Sequence, residues 1–260
     1  MEVQATPKLP LSIDHRWFRP RAGADMSLPQ LFCIGHAGAG AAPFGGWHDA
    51  LSEVATVWPV VLPGRESRYG ESAYTEMERL VPDLAGAISE VVLSDRVALF
   101  GHCGGALIAY ECSRHLVEST ACQPRLLIAS DSVAPSRASK QRRRWHSLRD
   151  DELLGELARI GATPPEVLAN RSLMALLLPA LRADTALLHG YRPSSSEALD
   201  MSISVVVGTS DWRDRADIAA WAGHTSRELR VQWLDGQTIS LGDTSLLDFV
   251  RGQMAAAMQA

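Results

Sequence analysis

The sequence predicts an α/β fold in which a mostly parallel central sheet is covered by helices on both faces. Two patterns predict it. Short apolar runs rich in β-branched residues alternate along the chain with longer segments whose apolar residues recur at helical spacing. The apolar runs are also continuous, as in strands whose two faces are both buried, and such strands separated by helices form parallel sheets.

The first half of the chain supplies four predicted strands and the helices that connect them. Residues 28–36 form a strand that ends in a glycine-rich turn, and the strand 57–63 follows a helix that begins near Trp47. Apolar residues at helical spacing predict a helix over 77–92, with Pro82 near its start. This half is completed by a short buried strand, a helix and another strand, at 97–102, 104–119 and 124–132.

The segment 136–193 breaks this alternation because no strand is predicted in it. Two helical patterns fill it, so we expect a helical insertion that acts as a lid over a site. The sheet then resumes with two strands and two helices, at 203–211, 214–224, 229–236 and about 243–258. The chain of 260 residues is expected to be a single domain, 1–260, that carries this insertion.

Composition argues against several classes of function. The net charge is −5, which does not suggest a nucleic-acid partner, although the basic run 140–146 is either a solvated loop or a landing patch for an acidic partner. No run of about 18 apolar residues predicts a membrane span, and the N-terminus lacks a signal pattern, so we expect a cytoplasmic monomer. The four cysteines form no C-x-x-C pair, so neither a metal site nor a disulfide is expected.

The stretch "LFGHCGGAL" at 99–107 resembles a nucleophile elbow, G-x-S-x-G, with Cys103 in place of the serine. A strand, a tight glycine turn and a helix lie in that order, which places Cys103 at a helix N-terminus, where a thiolate is favoured. The amide of Gly104 is then the first oxyanion donor, and the amide of Ala37, in the turn "GHAGAG", is the second. The alternative is a glycine-rich turn that contains a buried cysteine.

Several further motifs occur in a characteristic order. "RWFRP", "LFCIGHAGAGAAPFGGWHDAL", "LPGRESRYGE", "VALFGHCGGALIAYE" and "LPALRADTALLHGYR" resemble type II thioesterases of nonribosomal peptide and polyketide assembly lines over nearly the whole chain. The resemblance implies an α/β-hydrolase fold and a substrate that is an acyl or aminoacyl thioester on the phosphopantetheine arm of an acyl or peptidyl carrier protein. It implies no cofactor of the enzyme's own.

Two positions depart from the family's serine, aspartate and histidine. The resemblance places Cys103 at the serine, Asp211 at the aspartate and Thr238 at the histidine, and no histidine follows His224 in the sequence. Asp211 could instead be a turn residue or a helix N-cap, which are common positions for aspartate. Among the remaining histidines, His189 in the expected lid is the candidate for a replacement base.

The two departures together favour acyl transfer over hydrolysis. A thiol attacks a thioester without a base beside it, whereas release of the acyl group to water needs the base that the missing histidine would supply. We therefore expect Cys103 to load an acyl group and pass it to another thiol, an amine or an internal nucleophile. Two alternatives stay open, a hydrolytic editing thioesterase with a recruited base and a catalytically impaired homologue that binds carrier proteins.

Overall fold

The computed structural model describes residues 15–141, 144–160, 163–210, 213–236 and 238–259. Six strands of these residues form one sheet, and every neighbouring pair is parallel. The strands are β1 (Gln30–Ile34), β2 (Thr56–Pro59), β3 (Val97–His102), β4 (Leu126–Ser130), β5 (Ser202–Gly208) and β6 (Leu229–Leu234). Their order across the sheet is β2-β1-β3-β4-β5-β6, which confirms the predicted parallel architecture.

Helices cover both faces of the sheet. The α-helices of the described residues are α1 (Trp47–Ala50), α2 (Met77–Val91), α3 (Gly104–Ser119), α4 (Asp150–Ile160), α5 (Pro165–Ala169), α6 (Arg171–Gly190), α7 (Arg215–Ala219) and α8 (Thr244–Gln259). Apolar residues of α2 and α3 share one buried cluster, and those of α1 and α8 share another. Neighbouring strand residues divide between the clusters, since Leu99 belongs to the first and Phe100 to the second. This division explains why the strand sequences are continuously apolar.

The helix expected from Trp47 towards β2 is shorter than its pattern predicts. Only Trp47–Ala50 is helical, and Leu51 leaves the helical region with φ −113° and ψ 9°. Thr56 already pairs with Gln30 in the sheet, so the chain must turn between these points. Pairing with β1 therefore overrides the local preference for helix, as tertiary contacts commonly do.

The described residues between β4 and β5 contain helices and turns but no strand. Helices α4 and α6 form a small apolar cluster of their own, in which Leu153, Leu157, Met174, Leu178 and Leu181 are buried. Near the end of α6, Leu187 instead joins the larger cluster beneath the sheet. The first part of α6 thus packs against α4 within the insertion, and its end packs against the sheet domain.

Helix α6 is long and apolar enough to cross a membrane by length and composition alone, with a mean hydropathy of 1.2. Core helices meet the same test, and 44% of the window is already buried within this fold. The helix also carries Asp184, which is buried in an ion pair with Arg65. Part of its apolar surface therefore has partners within the protein, although Leu176 and Leu177 are exposed.

Candidate active site

Cys103 lies on a sharp bend between β3 and α3. Its backbone has φ 54° and ψ −120°, a conformation that costs a non-glycine residue about 1–3 kcal/mol and is concentrated at functional sites. The N–H of Cys103 donates to the carbonyl of Ser130 at 2.7 Å, and its carbonyl accepts from Ala106 at 3.1 Å. Cys103 is half-buried, whereas the other three cysteines are buried. The strand–turn–helix context that the sequence predicts is therefore present.

The glycines around Cys103 are required by close backbone approach. A Cβ on Gly101 would lie 2.4 Å from the Cα of Ala106, and one on Gly105 would lie 2.3 Å from the carbonyl oxygen of Gly35. Both distances are far below van der Waals contact. Both also involve backbone atoms, which cannot rotate aside as the end of a side chain can. These contacts bring the start of α3 against the loop that follows β1.

That loop places Ala37 beside the elbow. The rings of His36 and His102 meet edge to face at 5.9 Å, so the residues before Ala37 and before Cys103 are in contact. Within the described part of the chain, the N–H groups of Ala37 and Gly104 donate to no other backbone or side-chain group. Two such amides beside Cys103 could stabilise an oxyanion, which is the role that the sequence predicts for them.

Helix α6 covers the elbow directly. A Cβ on Gly104 would lie 2.3 Å from Cδ1 of Leu188, so the helix packs against the first residue of α3. The insertion therefore forms part of the wall of the site. Its side chains limit which groups can reach Cys103.

A buried ion pair joins α6 to the loop after β2, and both of its side chains also bind the loop after β1. Arg65 makes two hydrogen bonds to the carboxylate of Asp184, at 2.6 and 2.7 Å, and both side chains are less than a tenth exposed. The same carboxylate accepts the N–H of Gly38 at 2.7 Å, while Arg65 donates to the carbonyl of Ala39 at 3.0 Å. The motifs "PGR" and "RAD" contain these two residues, but the sequence reasoning assigned them no contact with each other.

Asp131 is a second site residue that the sequence reasoning missed. It directly follows β4, has φ 49°, and its side chain is 4% exposed. Its carboxylate accepts the N–H of Ile239 at 2.7 Å and lies 3.8 Å from a guanidinium nitrogen of Arg213. The available signal was an aspartate immediately after the strand next to the nucleophile strand, where parallel sheets commonly carry functional groups.

Thr238 is exposed and precedes Ile239, whose amide is bound to Asp131. Asp211 lies outside the described residues, so its position stays a prediction. The two residues just before it are described. The N–H of Thr209 donates to the carbonyl of Leu234 at 2.7 Å, and the N–H of Ser210 donates to the carbonyl of Gly236 at 2.9 Å. The segment that leads to Asp211 thus runs beside the loop that contains Thr238.

Two of the remaining histidines are held in fixed hydrogen bonds. The Nδ1 atom of His102 lies 3.0 Å from the hydroxyl of Ser130, and burial lowers the pKa of His102 to about 3. His224 is bound at both ring nitrogens, at 3.0 Å from the hydroxyl of Tyr110 and at 3.0 Å from that of Ser136. Burial also lowers the pKa of His36 and of His224, so these imidazoles are neutral near pH 7.

His189 lies on α6 next to Leu188, and its ring packs against that of His146 with centroids 4.8 Å apart. The Nδ1 atoms of both rings are buried, and neither has a hydrogen-bond partner among the described residues. Burial, helped by the neighbouring His189 and Arg144, lowers the pKa of His146. The contacts thus pair His189 with a second histidine, which the sequence reasoning did not foresee.

Among the described residues, no group of three or more His, Cys, Asp or Glu side chains could hold a metal ion. Within the basic run 140–146, Arg142 and Arg143 lie outside the described residues. Arg144 and Trp145 line an open cavity of about 350 Å³ together with Arg159, and the proposed landing patch for an acidic partner stays a prediction.

Residues 29–254 match the family model described as a thioesterase domain. The chain is 30% identical over 244 residues to the gramicidin S biosynthesis protein GrsT of Aneurinibacillus migulanus, covering 92% of this chain and 94% of that protein. It is also 30% identical over 236 residues to thioesterase PikA5 of Streptomyces venezuelae, covering 90% of this chain and 83% of that protein.

Solved structures with the same fold include the type II thioesterase BorB from the borrelidin biosynthetic cluster. It has a TM-score of 0.82 and 29% identity, with 94% of this chain and 98% of that chain covered. The RedJ thioesterase from the prodiginine biosynthetic pathway of Streptomyces coelicolor has a TM-score of 0.81 and 29% identity, with 96% of this chain and 91% of that chain covered. These neighbours and the six-stranded parallel sheet show an α/β-hydrolase fold.

Proposed function

The chain belongs to the thioesterase domain family, and from that premise we propose that it transfers acyl or aminoacyl groups of carrier-protein thioesters through a covalent intermediate on Cys103. The acceptor is a thiol, an amine or a nucleophile within the acyl chain, and water is a poor acceptor. The roles of GrsT in gramicidin S biosynthesis, of BorB in the borrelidin cluster and of the type II thioesterase YbtT in an NRPS/PKS pathway support a place in nonribosomal peptide or polyketide biosynthesis. The acyl group arrives on the phosphopantetheine arm of a carrier protein, so the enzyme needs no cofactor of its own.

The first half-reaction is attack by the Cys103 thiolate on the thioester carbonyl carbon. A new carbon–sulfur bond forms, and the carbonyl oxygen becomes an oxyanion that the amides of Gly104 and Ala37 stabilise. Collapse of this intermediate breaks the bond to the phosphopantetheine sulfur, which leaves as a thiolate and takes a proton from solvent. One thioester replaces another, so the step is nearly isoenergetic.

The second half-reaction determines the outcome. An incoming thiolate or neutral amine attacks the acyl-enzyme and expels the Cys103 thiolate, and the amine loses one proton to solvent. A water molecule would have to lose a proton as it attacks, which requires a general base. His102 and His224 are already hydrogen-bonded to neighbouring hydroxyls, and Thr238 stands at the position that the resemblance assigns to the base.

The observation that carries the proposal is the combination of Cys103 on a strained elbow with Thr238 in the loop after β6. A thiol is the nucleophile that depends least on a histidine, and the histidine is the residue that is absent. A decayed site would have no reason to keep the bend, the glycines and the two amides around Cys103.

The experiment that tests this proposal is intact-protein mass spectrometry with acyl-loaded and aminoacyl-loaded carrier proteins. We expect an adduct on the wild-type protein that persists in buffer and is discharged by a second carrier protein or an amine. Cys103→Ala should form no adduct. Cys103→Ser is the matched control for geometry, because it keeps the shape but loses the thiolate, and it should acylate much more slowly. Adduct formation by Cys103→Ala would overturn the proposal, as would an unreacted wild-type protein that still binds the carrier.

A second candidate is hydrolysis with a recruited base, and the pairing of His189 with His146 favours it. Leu188 touches Gly104, so the next residue of α6 is close to the elbow. An imidazole nitrogen that has no hydrogen-bond partner among the described residues could activate water. If this candidate is right, the wild-type adduct is lost rapidly to water and His189→Gln makes it persist.

A further inference from the structure

The side chain of Leu188 lies against the first residue of the helix that begins at the elbow. A Cβ on Gly104 would lie 2.3 Å from Cδ1, 3.2 Å from Cδ2 and 3.3 Å from Cγ of Leu188, so the branched end of this side chain faces Gly104. Leu188 packs against the larger apolar cluster but is only partly buried. Part of its apolar surface is therefore left for contact with a bound group.

The acyl group of the proposed intermediate lies beside this leucine. Its carbonyl oxygen accepts the N–H of Gly104 at about 2.9 Å, and Gly104 is the residue that Leu188 touches. The second proposed donor also has apolar neighbours from the insertion. Ala37 packs against the apolar cluster of α4 and α6, and a Cβ on Gly38 would lie 3.3 Å from the Cβ of Leu181. Both donors of the proposed oxyanion site are thus bordered by apolar side chains.

Three carboxylates of the described residues near this region already accept hydrogen bonds. The donors are Arg65 and the N–H of Gly38 for Asp184, the N–H of Ile239 for Asp131 and the N–H of Ala42 for Glu66. An amino or ammonium group on the acyl chain would have to compete for these carboxylates. Placed against Leu188, it would lose its hydrogen bonds to water without gaining a partner, and burial of such a group is costly.

We infer that Leu188 selects the acyl group, and that the protein takes apolar acyl groups in preference to aminoacyl groups. This inference rests on the proposed acylation of Cys103 and narrows its substrate to one chemical class. Leu188 acts by contact alone, since no atom or proton is transferred to or from it. A methyl group next to the carbonyl is removed from water by this contact, which is favourable, whereas an amino group at the same point is desolvated at a cost.

The test uses two thiol reagents and no acyl substrate. A methanethiosulfonate reacts with a thiolate by transfer of its alkylthio group, so a disulfide bond to Cys103 forms and methanesulfinate leaves. The trimethylammonioethyl and dimethylbutyl reagents have nearly the same shape, with a cationic nitrogen in one where the other has a carbon. Each rate is measured by intact-protein mass spectrometry and divided by the rate of the same reagent with mercaptoethanol. Cys103→Ala gives the background, because the other three cysteines are buried.

In the wild-type protein we expect the corrected rate of the dimethylbutyl reagent to exceed that of the cationic reagent at least about tenfold. Leu188→Asp should lower this ratio about tenfold, because it places a carboxylate beside the path of the reagent, and Leu188→Met should preserve it. A change in the thiolate fraction cancels in the ratio. Leu176→Asp is the matched control, since Leu176 is 51% exposed. It lies about 18 Å along the helix from Leu188, beyond the Debye length of about 8 Å at physiological ionic strength.

Leu188→Asp could fail to fold, and the wild-type ratio then decides by itself. Equal corrected rates of the two reagents on wild-type Cys103, or faster reaction of the cationic reagent, overturn the inference. An equal fall of the ratio in Leu188→Asp and Leu176→Asp would overturn the role of Leu188.

Loading from carrier proteins is measured separately. The two acyl groups differ only in a methyl or an amino group on the carbon next to the carbonyl, and the methyl compound should load Cys103 at least about tenfold faster. If the reagents show the preference but no carrier acylates Cys103, the proposed function fails and the selectivity of the site stands. If carriers load Cys103 equally fast with both acyl groups, the inference fails and the proposed function stands.

Discussion

Arg65, in the loop after β2, and Asp184, on helix α6, form a two-point ion pair, at 2.6 and 2.7 Å, and Arg65 also donates to the carbonyl of Ala39 in the loop that carries Ala37. Asp184 also accepts the N–H of Gly38, so the peptide that follows Ala37 is fixed by a residue of the insertion. An oxyanion site works only if its donors are held in place before the charge develops. Attachment of the insertion and preorganisation of the proposed oxyanion site therefore depend on the same carboxylate.

Asp184→Asn should damage both stability and acylation. It leaves the guanidinium of Arg65 buried without a counter-charge, which typically costs about 3–5 kcal/mol. We expect a lower free energy of unfolding in urea and slower adduct formation on Cys103. Asp151→Asn is the control, because Asp151 pairs with Arg149 at the surface and such pairs contribute about 0–1 kcal/mol. Equal stability of the two variants would contradict the role of the buried pair.

Gly105→Ala should abolish acylation and destabilise the fold. The new Cβ would lie 2.3 Å from the carbonyl oxygen of Gly35, so either α3 or the loop after β1 must move. Gly155→Ala in α4 is the matched control, since nothing lies within 4 Å of its Cβ. That change should raise the free energy of unfolding by about 0.5–1 kcal/mol, because alanine favours helix over glycine. Thermal melting of both variants tests the contrast, and a Gly105→Ala protein that acylates normally would be inconsistent with the packing.

Thr238→His should convert the protein towards hydrolysis. The loop is anchored by the bond between Ile239 and Asp131, so a new imidazole at 238 would project from a fixed backbone. A positioned general base contributes about 10²–10⁴-fold, so we expect release of the acyl group to water to accelerate on the order of 10²-fold. The rate of this release is measured as the lifetime of the adduct by mass spectrometry. Thr238→Ala should leave that lifetime unchanged, and an unchanged lifetime in Thr238→His would show that the loop does not point at the elbow.

His102 should make the protein less stable in acid. The pKa of this imidazole falls from an ordinary 6.5 to about 3 on folding, chiefly through burial, so between those values the unfolded chain binds a proton that the native state does not. Stability attributable to His102 is therefore intact above about pH 6.5 and is lost as the pH falls towards 3. Because the side chain keeps some exposure, we expect a loss on the order of 2 kcal/mol.

His102→Asn removes the proton-binding group and keeps an acceptor for Ser130. Its free energy of unfolding should depend less on pH between 6.5 and 3 than that of the wild-type protein. Urea titrations at several pH values give the comparison. Parallel pH profiles for the two proteins would refute the assignment.

The sequence predicts the parallel sheet and the elbow because both depend on local patterns. Continuous apolar runs indicate strands whose two faces are both buried. Glycines on either side of Cys103 indicate a tight turn that only glycine permits. The length of α1 could not be read in this way, since pairing of Thr56 with β1 ends the helix early. The partners of Asp131 and Asp184 were also out of reach, because they lie far away along the chain, at Ile239, Arg213 and Arg65.

The hydrogen bond between Asp131 and Ile239 joins positions that are 108 residues apart. Closing so long a loop costs conformational entropy, which is offset only when β6 has docked on the sheet. Contacts between residues so far apart in the chain therefore form late in folding. A chain emerging from the ribosome would therefore expose β3 and Cys103 long before the surroundings of Cys103 were complete. The proposed competence for acyl transfer should thus arise only after Ile239 has been synthesised, so that an immature thiol does not capture acyl groups that it cannot pass on.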